Sequence, residues 1–354
     1  MRSTLPMALL CSILALVACG VRPAPQAAAG EPLGGLSRCP GSSFVAALTS
    51  SSSEDPKIDL TAPSDISHVY GLRPDGTVQR LTSEPANYEY DLAADASHVL
   101  AVPYGAPSDP GTILADGSYM PRNPYRLLMV ATGVEKVRTV ITHEGISSVA
   151  ESPDGQHAAI ISRNPSTSSV EMLIFDLADS SIVKQQELSS ITTPSNLAWS
   201  PDGTTFALFG RLNDRPERQV ITVDANSGEI QGFALPYDNV IDLDWSPDSK
   251  RLLVLVLAFT DSATSEYLAY EIQRDTGTVT TLSLGGEIVS GLAYASSDGR
   301  DLLAIVLPKG TIPILRSLRL TDNRISIVSE MRLPDVLTRP SRLVIAECAR
   351  GVNQ

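Results

Sequence analysis

At 354 residues, 43% hydrophobic, 19% charged and only 5% aromatic, the chain has an ordinary globular composition, with length for one large or two medium domains. Its formal charge of −13 argues against a nucleic-acid partner, because a phosphate backbone asks for clustered Lys and Arg. The acid balance otherwise speaks for solubility.

In chain order, Arg2 precedes an apolar stretch from Leu5 to Val17. A helix needs about 20 such residues to span a bilayer, so residues 1–18 read as an export signal and not as a membrane anchor. Leu16-Val17-Ala18-Cys19 closes the stretch and resembles the lipobox of bacterial lipoproteins. That resemblance implies that Cys19 becomes the acylated first residue of the mature chain. Its acyl chains, at about 0.8 kcal/mol per buried methylene, would tie the protein to the extracytoplasmic face of a bacterial cell or outer membrane. Residues 19–38 are rich in Pro, Ala and Gly with almost nothing to bury, which predicts a flexible tether; a coil of that length spans roughly 25 Å. Cys11 leaves with the signal and Cys19 is consumed by lipid. Cys39 and Cys348 remain, in a compartment where disulfides persist.

From residue 39 to 354 no sustained 3.6-residue period occurs. Short runs of Val, Ile, Leu and Thr alternate with turn clusters, the pattern of an all-β fold. One phrase recurs: Ser152-Pro153-Asp154-Gly155, Ser200-Pro201-Asp202-Gly203, Ser246-Pro247-Asp248-Ser249 and, weaker, Ser296-Ser297-Asp298-Gly299. Its aspartates lie 48, 46 and 50 residues apart (202−154, 248−202, 298−248). A second turn series, at Gly76, Gly133, Ser180, Gly228, Gly277 and Asn323, steps by 57, 47, 48, 49 and 46 residues. Two series with one interval mean an array of four-stranded units. Proline fixes φ at the first corner, aspartate bonds the backbone ahead and glycine takes a positive φ, so the phrase is structural and its aspartates are not catalytic.

Four-stranded units repeated radially make a β-propeller. The phrase resembles the TolB-like and WD-repeat-like propellers, whose repeats carry Trp-Ser-Pro-Asp-Gly before an apolar strand. Trp199 to Gly203 matches all five positions and Trp245 to Asp248 four, whereas Glu151 replaces the tryptophan in an earlier unit. The unit near Asp95 is degenerate. The resemblance implies the fold and little about function, since propellers of this kind include periplasmic partner-binding proteins and domains attached to peptidases.

Five complete units run over residues 88–142, 146–189, 195–236, 239–285 and 288–333. The first unit has only three strands, Phe44–Thr49, His68–Leu72 and Thr77–Leu81. Arg342–Cys348 supplies the missing innermost one. This predicts six blades, a one-plus-three closure, and a Cys39–Cys348 disulfide across the composite blade.

No Gly-x-Ser-x-Gly elbow, histidine pair, calcium-loop spacing or phosphate loop is found, and no metal or other cofactor is expected. Asp242, Asp244, Glu151 and Glu347 fall on innermost strands, near a central channel. The preferred reading is that they are solvated carboxylates in a wet tunnel; the other is an acidic lining that holds a cation or a basic side chain. Two loops between second and third strands are long, Ser50–Ser67 and Pro103–Pro124, and the latter carries Tyr104, Tyr119, Met120 and Arg122. Such loops on a rigid scaffold are where binding usually sits. The expectation is a monomeric, non-catalytic lipoprotein that binds a protein or peptide at the cell envelope, with an enzyme acting on a peptide or sugar at the channel mouth as the alternative.

Overall fold

Six antiparallel sheets of four strands each form the blades of a propeller. The computed structural model describes residues 36, 39–40, 42–50, 67–83, 87–104, 112–113, 119–120, 125–132, 136–164, 167, 169–215, 217–237, 239–259, 265–308, 312–321, 324–334, 337 and 340–350. For 87–88, 104, 112–113, 119–120, 265 and 341 only the backbone is described. The expected export signal, Cys19 and nearly all of the expected tether lie outside these residues. Contacts divide the chain into Met1–Gly30 and Glu31–Gln354, and all six blades belong to the second unit.

Blade I holds β1 (Ala46–Ser50), β2 (His68–Leu72) and β3 (Val78–Arg80). Blade II is β4 (Asn87–Leu92), β5 (His98–Tyr104), β8 (Tyr125–Ala131) and β9 (Val137–His143), with a small hairpin, β6 (Thr112–Ile113) and β7 (Tyr119–Met120), between its second and third strands. Blade III is β10 (Ile146–Glu151), β11 (His157–Arg163), β12 (Val170–Asp176) and β13 (Ile182–Glu187). Blade IV is β14 (Ile191–Trp199), β15 (Thr205–Leu212), β16 (Arg218–Asp224) and β17 (Ile230–Ala234). Blade V is β18 (Val240–Trp245), β19 (Arg251–Phe259), β20 (Ser265–Gln273) and β21 (Val279–Leu282). Blade VI is β22 (Val289–Tyr294), β23 (Asp301–Val306), β24 (Ile314–Thr321) and β25 (Arg324–Arg332).

The last strand, β26 (Ser341–Ile345), joins blade I in the order β26-β1-β2-β3. Ala46 pairs with Ile345 and Leu48 with Leu343, so the two ends of the domain share one sheet. The closure is therefore one-plus-three. It differs from expectation chiefly at its end: β26 stops at Ile345, and Glu347–Arg350 form a 3₁₀ turn where strand was expected as far as Cys348, while β1 and β3 start one or two residues later than expected. Cys39 and Cys348 form a disulfide with Cα atoms 5.2 Å apart, closing a loop with a sequence separation of 309. The chain-entropy model gives about 5–6 kcal/mol for such a loop; typical bonds deliver roughly 2–4.

The blades stack because each strand alternates and both faces of each sheet meet a neighbouring blade. One apolar cluster joins blades III and IV through Ile161, Ile174, Leu208 and Ile221. Another joins IV and V through Phe209, Phe233, Trp245 and Val254. Leu36 and Cys39 lie in the cluster that joins blade I to blades II and VI, so the packing begins before the disulfide.

The recurring turn has one geometry. Ser152, Ser200, Ser246 and Ser296 each donate their hydroxyl to the aspartate two residues on, at 2.5–2.6 Å. The same hydroxyls accept the amides of His157, Thr205, Arg251 and Asp301 at 2.9 Å. Ser249 stands where glycine is expected, at φ 58°, and its Oγ accepts the amide of Asp202 in the neighbouring turn at 2.9 Å. The degenerate unit makes the same corner with Ala96 at φ 58°, its amide bonded to the Ala93 carbonyl at 2.7 Å. Backbone geometry thus persists where the sequence phrase has decayed.

Candidate functional site

The innermost strands and their turns surround a cavity of about 80 Å³ on the propeller axis. Asp91, Glu151, Trp199, Asp242, Asp244, Trp245, Arg342, Glu347 and Arg350 supply most of its chemistry. Ser152, Pro153 and Pro201 also line it, so it opens among the short turns. A shallower hollow of about 210 Å³ adjoins it and shares Pro201, Glu347 and Arg350. Cys348 follows Glu347 directly, so the disulfide lies beside this mouth.

The four acidic residues expected near the channel all line the cavity, but they are not four solvated carboxylates. Asp242 is buried. Its Oδ2 accepts the amides of Leu292 at 3.2 Å and Leu343 at 3.3 Å, and its Oδ1 that of Leu243 at 3.1 Å. One side chain therefore ties blade V to blade VI and to the closing strand. Asp244 accepts the Tyr294 amide at 2.9 Å and both bonds of the Arg350 Nη2 group at 3.0 Å. Arg350 also donates to the Trp245 carbonyl at 3.2 Å.

Asp91, on the other side of the axis, repeats the Asp244 device. It stands one residue before the position of the turn tryptophan, and its Oδ2 accepts the Glu151 amide of the next blade at 2.7 Å. Sequence reading passed over Asp91 although its register matches Asp244. It also passed over Arg342 and Arg350. Arg350 was legible as the basic residue at the aspartate position of the final turn. Arg342 pairs with Glu89 and lies 5.1 Å from the Tyr90 ring, whose hydroxyl donates to the Arg342 carbonyl at 2.8 Å. This clamp holds β26 against blade II.

Burial pushes Asp91 and Asp242 up to about 7, against the pull of the amides they accept and of Arg342. Burial also raises Glu151, whose side chain is 2% exposed and whose Oε2 lies 2.9 Å from His98 Nε2. Glu151 Oε1 has no hydrogen-bond partner. Burial works against the charge of His98, and the Glu151 carboxylate outweighs it, so that histidine is held above its usual value. Glu347 is half-buried and raised by that burial against the pull of the Arg350 charge, with no hydrogen bond or ion pair of its own among the described residues.

Ser162, His143 and Glu171 superficially resemble a hydrolytic triad, with Ser162 Oγ 3.1 Å from His143 Nδ1 and His143 Nε2 3.9 Å from Glu171. Ser162 is fully buried and its hydroxyl donates to the Glu144 carbonyl at 2.8 Å, so it cannot meet a substrate. Among the described residues no group of three or more His, Cys, Asp or Glu is placed to hold a metal ion. No helix among them is long and apolar enough to cross a membrane. Of the expected long-loop residues, Tyr104 ends β5, and Tyr119 and Met120 form β7, with their side chains outside the described residues; Arg122 lies wholly outside them.

No family model matches the chain, and no curated protein matches it. Among solved structures, TolB from Acinetobacter baumannii is similar at 14% identity and a TM-score of 0.57, over 86% of this chain and 66% of that one. The chain thus spans just under two thirds of that protein's length. An oligogalacturonate lyase from Vibrio parahaemolyticus is similar at 12% identity and a TM-score of 0.47, over 75% of this chain and 71% of that one. A puromycin-hydrolyzing peptidase from Mycobacterium tuberculosis is similar at 14% identity and 0.47, over 77% and 42%. The fold is a six-bladed, TolB-like β-propeller. At these identities the likeness concerns fold alone.

Proposed function

We propose that this chain is a non-catalytic, lipid-anchored propeller of the bacterial envelope that binds a protein or peptide partner through the mouth of its axial cavity. The observation that carries the reading is the cavity itself. Two tryptophans, the only two in the chain, share its wall with charged groups that are mostly matched to one another and a few that are not. A rigid concave site with few unmatched polar groups suits recognition. The lipobox-like Cys19 and the tether before Cys39 support the anchor and the location. On this reading the mouth lies at the tethered end, and the long loops with Tyr104, Tyr119, Met120 and Arg122 form a second contact surface pointing away from the membrane.

A photo-crosslinking residue placed at 201, which lines both the cavity and the outer hollow, and as a control at 327 on the outer strand β25, tests this in membranes of the producing cell. A discrete adduct from 201 and none from 327 is expected. No adduct from 201, or the same adducts from both, overturns the reading. Deleting residues 105–118 in the same experiment reads the long loop: an adduct that weakens assigns it to the interface. The alternative, an enzyme at the same mouth acting on a peptide or sugar, draws support from one feature, the pairing of His98 with Glu151, whose side chain lines the cavity. Recovery of the crosslinked partner intact or cleaved separates the two.

A further inference from the structure

Resting on that reading of the mouth, we infer that the group it accepts is a cationic side chain, a lysine or arginine of the partner, seated against Glu347. Arg350 is held by both oxygens of Asp244 through its Nη2, although its Nε is unpartnered and its charge also reaches Glu347, and Arg342 is matched by Glu89. Asp91 and Asp242 are committed to backbone amides of the next blade and of the closing strand. What remains is Glu347, at the junction of the cavity and the outer hollow, without a hydrogen bond or ion pair among the described residues. The same cavity is lined by Glu151, buried, with Oε1 unpartnered and His98 near its other oxygen.

A carboxylate withdrawn from water without a donor is costly, and an incoming N–H group removes that cost. The mouth also has an aromatic wall. Trp199 is half-buried there, and an indole face attracts ammonium and guanidinium groups. Calcium or magnesium suits the place less well, since each asks for six or more oxygen ligands and no group of three candidates converges among the described residues. A cavity of about 80 Å³ admits one narrow chain rather than a folded segment. Glu347 makes the contact, while Glu151 contributes its field from the cavity wall.

The test uses the full-length chain in detergent and blocked tripeptides Gly-X-Gly, with X lysine, arginine, norleucine or glutamate. Both tryptophans line the cavity, so their fluorescence reports binding there, and calorimetry gives affinity. Lysine and arginine peptides should bind about tenfold more tightly than the norleucine peptide, the scale of one charge-assisted hydrogen bond. Glu347→Gln should remove that preference, and Glu347→Asp should restore part of it, with melting curves showing that both variants fold. Equal binding of lysine and norleucine peptides, or a lysine preference that survives Glu347→Gln, overturns the inference and leaves the mouth as a peptide site. If no tripeptide binds while the crosslink from 201 still forms, the inference fails and the partner-binding reading stands. Loss of the crosslink as well overturns both.

Discussion

Blades III and V put different residues at the same place in the repeat. In blade V the residue before the turn is Trp245, 1% exposed, packed among Phe209, Phe233, Val254 and Ile272. Its Nε1 donates to the Ala198 carbonyl of blade IV at 3.3 Å, so the one polar atom is satisfied. In blade III the residue is Glu151, 6% exposed, with a carboxylate where the indole would be. The same slot is a packing position in one blade and a buried charge in the other. A repeat that needed only stability would have kept an apolar residue at both. The carboxylate therefore marks the side of the axis where the propeller departs from its own rule, which is where functional groups accumulate.

The sharpest way to break this comparison is to empty both slots. Trp245→Ala should cost roughly 3–5 kcal/mol, as removal of a fully buried indole does, and lower the urea midpoint accordingly. Glu151→Leu should do the opposite and stabilise the fold by about 1 kcal/mol, because it replaces a poorly satisfied buried charge and leaves His98 free to be neutral. If Glu151→Leu destabilises as much as Trp245→Ala, Glu151 is an ordinary structural member of its blade, and the contrast drawn between the two blades is wrong.

Sequence reveals repetition better than it reveals exceptions. The blade count, the sharing of a sheet by β1 and β26, and the pairing of Cys39 with Cys348 were legible because a turn repeated at a fixed interval places every strand. Glu151, Asp242 and Asp244 were legible as residues of the innermost strands by the same register, whereas Glu347, expected on the closing strand, sits in the 3₁₀ turn that follows it. What register does not give is the partner of a side chain. Asp242 reaches Leu343, 101 positions away, and Arg342 reaches Glu89, 253 positions away, because ring closure brings distant segments together. The Ser-Pro-Asp-Gly signal also fades at Ala93–Ala96, where the φ of Ala96 still builds the turn; a motif search sees side chains, whereas the corner is a backbone property.

The smallest expected effect concerns pH, and it separates the same two classes of carboxylate. Asp91 and Asp242 carry folded-state values near 7 because burial disfavours their charge, well above the ordinary 3.8. Between those limits the native state holds more protons than the unfolded chain, so these groups make stability fall as pH rises. Glu151, raised by burial, acts in the same direction. His98, raised by Glu151 despite burial, contributes stability that is complete below 6.5 and lost as pH climbs through its folded value. The turn aspartates act oppositely. Against the cost of partial burial, the hydroxyls of Ser152, Ser200 and Ser246 and the following amides hold Asp154, Asp202 and Asp248 below 3.8. Their contribution is present above 3.8 and lost as pH falls through the folded values. The two classes together place the optimum between roughly pH 4 and 6. Urea unfolding at pH 5 and pH 8 should give the higher midpoint at pH 5, and Asp242→Asn should narrow the gap between them. A midpoint that rises from pH 5 to pH 8 would show that the amides held by Asp91 and Asp242 outweigh the desolvation of their carboxylates, and that the axial aspartates belong with those of the turns.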